Sequence, residues 1–132
     1  MLSFEDAAAY LDDIADNLPQ ALLRDLNGGI SLVPESKLNP KGKWLYILGQ
    51  YVKSHSMGRY IVIYYGSFLK SFANRDDAFI RTKLREVMLH ELTHHNESLA
   101  GINDLSIKDE KQIKHYNATG AFLPIDAFND ED

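Results

Sequence analysis

The residues with the clearest chemical potential are two histidines four positions apart, His90 and His94, with Glu91 directly after the first. On a helix, this spacing places both imidazoles on one face, where both can reach one metal ion at about 2.0–2.1 Å. Glu91 lies roughly 100° around the helix, beside the pair and outside its coordination positions. The pattern predicts a bound zinc that lowers the pKa of a water to about 7, with Glu91 as the general base when that water attacks a carbonyl.

The identity of the remaining metal ligand is open among three carboxylates, because the chain has no cysteine to supply a thiolate. Glu97 shares the ligand face, but its Cα lies about 10.5 Å along the helix axis from that of His90. Gly101 can end the helix and reverse the chain, which lets Asp104 return toward the histidines. Asp109 is separated from the helix by more residues, so it could also return to them. We rank Asp104 first as a third ligand, with Glu97 and Asp109 as alternatives. Such a nitrogen and oxygen set suits zinc and also accepts other divalent ions.

The other candidate residues have structural interpretations. His95 points about 100° away from His94, toward the core side of the helix, so we expect a buried hydrogen-bonding residue and not a ligand. If Glu97 is not a ligand, it is either a hydrogen-bond partner of a ligand ring or a solvated carboxylate. His55 and His115 have no partner at ligand spacing and are expected at the surface. The apolar run Tyr60 to Tyr65 predicts a packed strand that could also line a cleft.

The elements that position the motif follow from hydrophobic periodicity. One long helix is predicted from about Asp76 to Ala100, because apolar residues recur there every three or four positions until Gly101. The other predicted elements are a capped first helix from Ser3 to Leu18, a short helix from Pro19 to Leu26, strands at Ile30–Val33, Trp44–Val52 (with a bulge at Gly49) and Tyr60–Tyr65, a turn at Ser54–Gly58, and a last helix from Asp109 to about Tyr116. They predict an α+β fold, a small mixed sheet of about three or four strands packed on the long motif-bearing helix, in a single domain over 1–132.

Charge and composition limit the classes of partner that the protein is expected to bind. The chain has 132 residues and a net charge of −5, and its 14 basic residues are scattered, which argues against a nucleic-acid groove. The first residues are acidic where a signal peptide would be basic, and no apolar run approaches the roughly 20 residues needed to cross a bilayer. We therefore expect a cytoplasmic protein without a membrane or nucleic-acid partner.

Several segments together resemble a known family. These are Leu18-Pro19, Leu26-Asn27 to Val33-Pro34-Glu35, Ile47-Leu-Gly-Gln-Tyr51, Ile61-Val-Ile-Tyr64 and Val87-Met-Leu-His-Glu-Leu-Thr-His-His95. They resemble the minimal zincins, small bacterial zincin-like proteins regarded as zinc metallopeptidases. In that family a glycine three residues after the second histidine ends the helix, and the pattern Gly-x-x-Asp supplies a third ligand. Here Gly101 lies seven residues after His94, Asp104 keeps the Gly-x-x-Asp spacing, and Asp109-Glu110 matches the Asp-Glu before the family's last helix.

Three functions compete at this point. The first is a zinc metallopeptidase that acts on a peptide or protein substrate. The second is a catalytically silent zincin-like module that binds a protein partner and keeps a structural metal. The third is a zinc hydrolase for a small non-peptide amide or ester. A catalytic zinc keeps an open coordination position, whereas a structural zinc is closed by four protein ligands.

Overall fold

A three-stranded mixed sheet packs against helices, which confirms the predicted α+β class. The computed structural model of the chain describes residues 2–41 and 45–101. Its elements are α1 (Phe4–Asn17), a short 3-10 helix (Gln20–Leu23), β1 (Gly29–Val33), β2 (Gly49–Ser54), β3 (Gly58–Tyr64), α2 (Tyr65–Ser71) and α3 (Asp77–Leu99). No helix among the described residues is long and apolar enough to cross a membrane.

Strand β3 is the centre of the sheet. The strand order is β1-β3-β2, in which β1 runs parallel to β3 and β2 runs antiparallel to it. The antiparallel pair is a hairpin that closes at Ser54 opposite Gly58, and Gly58 has the left-handed φ of 74° that favours glycine. The predicted turn at Ser54–Gly58 is therefore confirmed.

The core lies between the sheet and the long helix. Ile61 and Ile63 of β3 are fully buried and face this layer, as the alternation of a half-buried strand requires. They belong to one buried cluster with α1 residues Ala7, Leu11 and Ile14 and α3 residues Ile80, Leu84, Met88 and Leu92. Burying each large aliphatic side chain stabilises the fold by about 1.5–3 kcal/mol, so this layer holds α3 against the sheet.

Side-chain caps begin both long helices where the sequence predicted. Ser3 Oγ accepts a hydrogen bond from the Asp6 backbone N–H at 3.0 Å, and Asp76 Oδ1 accepts one from the Phe79 N–H at 2.8 Å. Each cap satisfies a donor that has no partner within the first helical turn. Both predicted helices are confirmed to within a residue or two at each end.

Strand β2 begins later than predicted, at Gly49 and not at Trp44. The chain just before it pairs with the preceding loop instead. Asn39 N–H donates to Leu45 O at 2.8 Å, and Ile47 N–H donates to Lys37 O at 2.7 Å. These bonds occupy backbone groups that a longer strand would have offered to the sheet.

Two helical predictions also need correction. The predicted helix from Pro19 to Leu26 is a single 3-10 turn, and the chain leaves it through Asp25, whose φ of 61° is left-handed. Helix α2 was not predicted, because its sequence continues the apolar run of β3. The chain turns there at Gly66, where a Cβ would lie only 2.6 Å from Pro34 O. The predicted last helix, from Asp109 to about Tyr116, lies outside the described residues.

Candidate metal centre

The two histidines of the motif lie side by side on α3, one turn apart. Their ring centroids are 4.8 Å apart and their planes meet at 84°. Both side chains are half-buried, and the Nε2 atom of His94 is itself shielded from solvent. The helix therefore presents two half-buried imidazoles on one face, as their four-residue spacing predicts.

The side chain of Glu91 leaves α3 toward Gly49, the first residue of β2. Glu91 is only 8% exposed. A Cβ added at Gly49 would be 3.4 Å from Glu91 Cγ and 2.7 Å from Val87 Cγ1, so the strand backbone packs directly on this turn of the helix. The absence of a side chain at Gly49 thus leaves room for Val87, while the Glu91 stem lies within contact distance of the same position.

His95, next to His94, is fully buried and has a partner on each ring nitrogen. Its Nε2 lies 2.6 Å from Arg24 O, and its Nδ1 lies 2.8 Å from the Tyr51 hydroxyl. The prediction of a buried hydrogen-bonding residue is therefore confirmed. These two bonds connect α3 to β2 and to the loop after the 3-10 helix.

The hydrogen-bonded network continues from Tyr51 to the hairpin and back to α3. Arg59 Nη1 donates to the Tyr51 hydroxyl at 3.0 Å and to Ser98 Oγ at 2.8 Å. Ser98 lies one helical turn beyond His94, so α3 has polar contacts to the sheet both beside the second histidine and one turn after it.

The candidates for a third ligand separate into two groups. Within residues 2–41 and 45–101, no three His, Asp or Glu side chains are grouped closely enough to hold one metal ion, so Glu97 does not complete a set with His90 and His94 there. Asp104 and Asp109 lie outside the described residues. Of the remaining histidines, His55 is exposed in the hairpin turn as predicted, and His115 lies outside the described residues.

The donor chemistry fits zinc. Two imidazoles on one helical face are ordinary zinc ligands. In addition, Glu97 Oε2 is buried without a hydrogen-bond partner in the described part of the chain. A carboxylate oxygen removed from water is unfavourable unless a donor or a cation compensates it. The ligand face of α3 therefore carries a carboxylate suited to a cation or to a ring N–H nearby.

Sequence reasoning missed the roles of Gly49, Tyr51 and Arg59. An isolated glycine within an apolar strand signals a bulge or a close backbone approach, and here it marks a close approach. Tyr60 and Tyr64 lie on the sheet face opposite α3, because Ile61 and Ile63 between and beside them face the core. Tyr51 of the neighbouring strand β2 instead reaches α3, where its hydroxyl lies 2.8 Å from His95 Nδ1.

Comparisons with known proteins agree with this geometry. The model of a family described as zincin-like metallopeptidase matches residues 48–113, half of the chain, which includes β2, β3 and all of α3. A solved structure of a conserved hypothetical protein from Thermo thermophilus is similar at 33% identity, covering 75% of this chain and 98% of that one, with a TM-score of 0.63. A search of the curated proteins finds no match.

Proposed function

This chain belongs to the zincin-like metallopeptidase family, and we propose from that premise that it is a zinc-dependent hydrolase that cleaves peptide bonds. The observation that carries the proposal is the position of Glu91, buried against β2 beside two half-buried imidazoles on the same helix. A nearly buried carboxylate next to a pair of metal-ligating side chains is the arrangement that metal-assisted hydrolysis needs.

His90 and His94 would hold the metal, and we assign Asp104 as the third protein ligand. This assignment rests on Gly101, whose φ of 79° is the left-handed conformation that reverses a chain after a helix. When bound, zinc supplies an acidified water near neutral pH and polarises the carbonyl under attack.

Glu91 performs the proton transfers. Its carboxylate accepts a proton from the attacking water and then delivers it to the leaving amine. The Glu91 stem lies against the backbone of β2 at Gly49 and the residue is 8% exposed, which limits the rotamers that its side chain can adopt. General acid and base catalysis of this kind contributes about 10²–10⁴-fold to the rate.

An extended peptide would lie along β2, whose only strand partner in the described sheet is β3. An edge strand can pair with a substrate backbone, which gives affinity without demanding a particular side chain. Gly49, at the start of this strand, would place the peptide backbone next to Glu91. The substrate class is therefore peptides or unfolded protein segments and not compact folded domains.

The test compares Glu91→Gln with Glu5→Gln, the same chemical change on another helix. Glu5 is exposed in the first turn of α1. With zinc-loaded proteins and a mixed peptide library followed by mass spectrometry, we expect Glu91→Gln to hydrolyse peptides about 10²–10⁴-fold more slowly than the parent and Glu5→Gln to retain the parental rate. Equal activity of Glu91→Gln and parent would refute the mechanism. A parent that binds zinc and cleaves nothing would favour the protein-binding module.

A further inference from the structure

His95 connects α3 to two other parts of the chain. Its buried ring is hydrogen-bonded on one side to Arg24 O and on the other to the Tyr51 hydroxyl. Two separate parts of the chain therefore hold the same residue of the helix. The next residue, Asn96, adds a bond from its Nδ2 to Leu22 O at 3.0 Å. The motif helix is thus tied to its surroundings immediately after His94.

The donors and acceptors of this tether are mutually consistent. A carbonyl oxygen only accepts, so His95 Nε2 carries the proton that is donated to Arg24 O. Nδ1 then accepts from the Tyr51 hydroxyl, whose oxygen in turn accepts from Arg59 Nη1. Each donor and acceptor in this network is used in its proper sense, and removing the Tyr51 hydroxyl leaves Nδ1 and Arg59 without that partner.

A small rotation of α3 would matter at the histidine pair. Side-chain tips lie about 5–6 Å from a helix axis, so a rotation of about 10° moves them by about 1 Å. Metal–ligand distances are tolerated only within about 0.2 Å. The orientation of His94, and of Glu91 one turn before His95, therefore depends on what holds the helix in register with β2.

We propose that Tyr51 and His95 form a positioning pair that sets the metal affinity of His90 and His94 by holding α3 against β2. The inference rests on the proposed zinc site. It deepens that proposal by assigning a role to two residues that touch neither metal nor substrate. The doubled histidine of the motif thus has two functions, with His94 facing the metal and His95 facing the scaffold.

The test is zinc affinity, measured by chelator competition, together with the visible absorption spectrum of the cobalt-substituted protein. The central variant is Tyr51→Phe. Its matched control is Tyr65→Phe, which removes a hydroxyl that donates to Leu2 O over 2.6 Å and not to the helical turn of His94 and His95. We expect Tyr51→Phe to bind zinc about 10–100-fold more weakly, the range for residues that orient ligands, and to shift the cobalt spectrum. Tyr65→Phe should match the parent in both.

A second pair of variants separates positioning from general stability. His95→Gln can donate to Arg24 O and accept from Tyr51 with its amide, whereas His95→Leu can do neither. Zinc affinity should be closer to the parent in His95→Gln than in His95→Leu. If the parent binds zinc and Tyr51→Phe matches Tyr65→Phe, the positioning role is overturned and the proposed function stands. A parent that binds no zinc overturns both.

Discussion

Replacing Gly49 by alanine probes the close packing of β2 on α3 beside Glu91. The new Cβ would lie 2.7 Å from Val87 Cγ1 and 3.4 Å from Val62 O, and valine has one strongly preferred χ1 rotamer in a helix, so it cannot easily turn away. Overpacking of this kind costs about 1–3 kcal/mol. Restricting the unfolded chain by a Gly→Ala change returns about 0.4–1 kcal/mol. We therefore expect a net loss of about 1–2 kcal/mol in the free energy of unfolding.

The assay is urea unfolding followed by circular dichroism. With a slope of about 1–3 kcal/mol per molar urea for a small protein, the midpoint should fall by roughly 0.5–1 M. Val87→Ala removes the atom that the new Cβ meets, so the double variant should be more stable than the sum of the two single changes predicts, by about 1 kcal/mol. An unchanged or raised midpoint for Gly49→Ala, or strict additivity with Val87→Ala, would show that β2 does not pack tightly on α3 at Val87.

Other predictions concern the third ligand and the alkaline limit of stability. Asp104→Ala should weaken zinc binding by more than the roughly 10–100-fold expected of a ligand-orienting residue, and by more than Glu97→Ala or Asp109→Ala; parental affinity in Asp104→Ala would move the assignment to one of the other two. Burial raises the pKa of Tyr65 above its ordinary value of 10.0, and the carboxylates of Glu5 and Asp77 raise it further. Because the pKa of Tyr65 is raised in the folded state, its contribution to stability is fully present below about pH 10 and is lost as the pH rises through the folded-state pKa. The parent should therefore lose more unfolding free energy between about pH 9 and 11 than Tyr65→Phe. Equal losses in the two proteins would exclude Tyr65 as the cause.

The motif helix was predictable because its signals are local. Asp76 caps it, apolar residues repeat at helical spacing, and His90 and His94 follow from that phase. The same phase placed His95 toward the core. The start of β2 and the existence of α2 were not predictable in this way, because both depend on a contact with the loop around Glu35 and Lys37 that an apolar run does not reveal.

The partners that complete the site are distant in sequence. Tyr51 lies 44 residues from His95, and Arg24 lies 71 residues from it. Periodicity showed that the His95 ring would be buried, and burial required partners for both nitrogens. Which residues supply them depends on how the hairpin and the 3-10 turn pack against α3, and this is set by tertiary structure.

The most direct test of the account is the zinc content of the purified chain, measured by elemental analysis after dialysis against a zinc-buffered solution. We predict one zinc per molecule in the parent, little or none in the double variant His90→Ala/His94→Ala, and full content in His55→Ala, which removes an exposed histidine from the hairpin turn. The same circular dichroism spectrum in all three proteins would show that the fold is retained. A double variant that keeps one tightly bound zinc would contradict the assignment of the metal to this pair, and with it the proposed hydrolytic site.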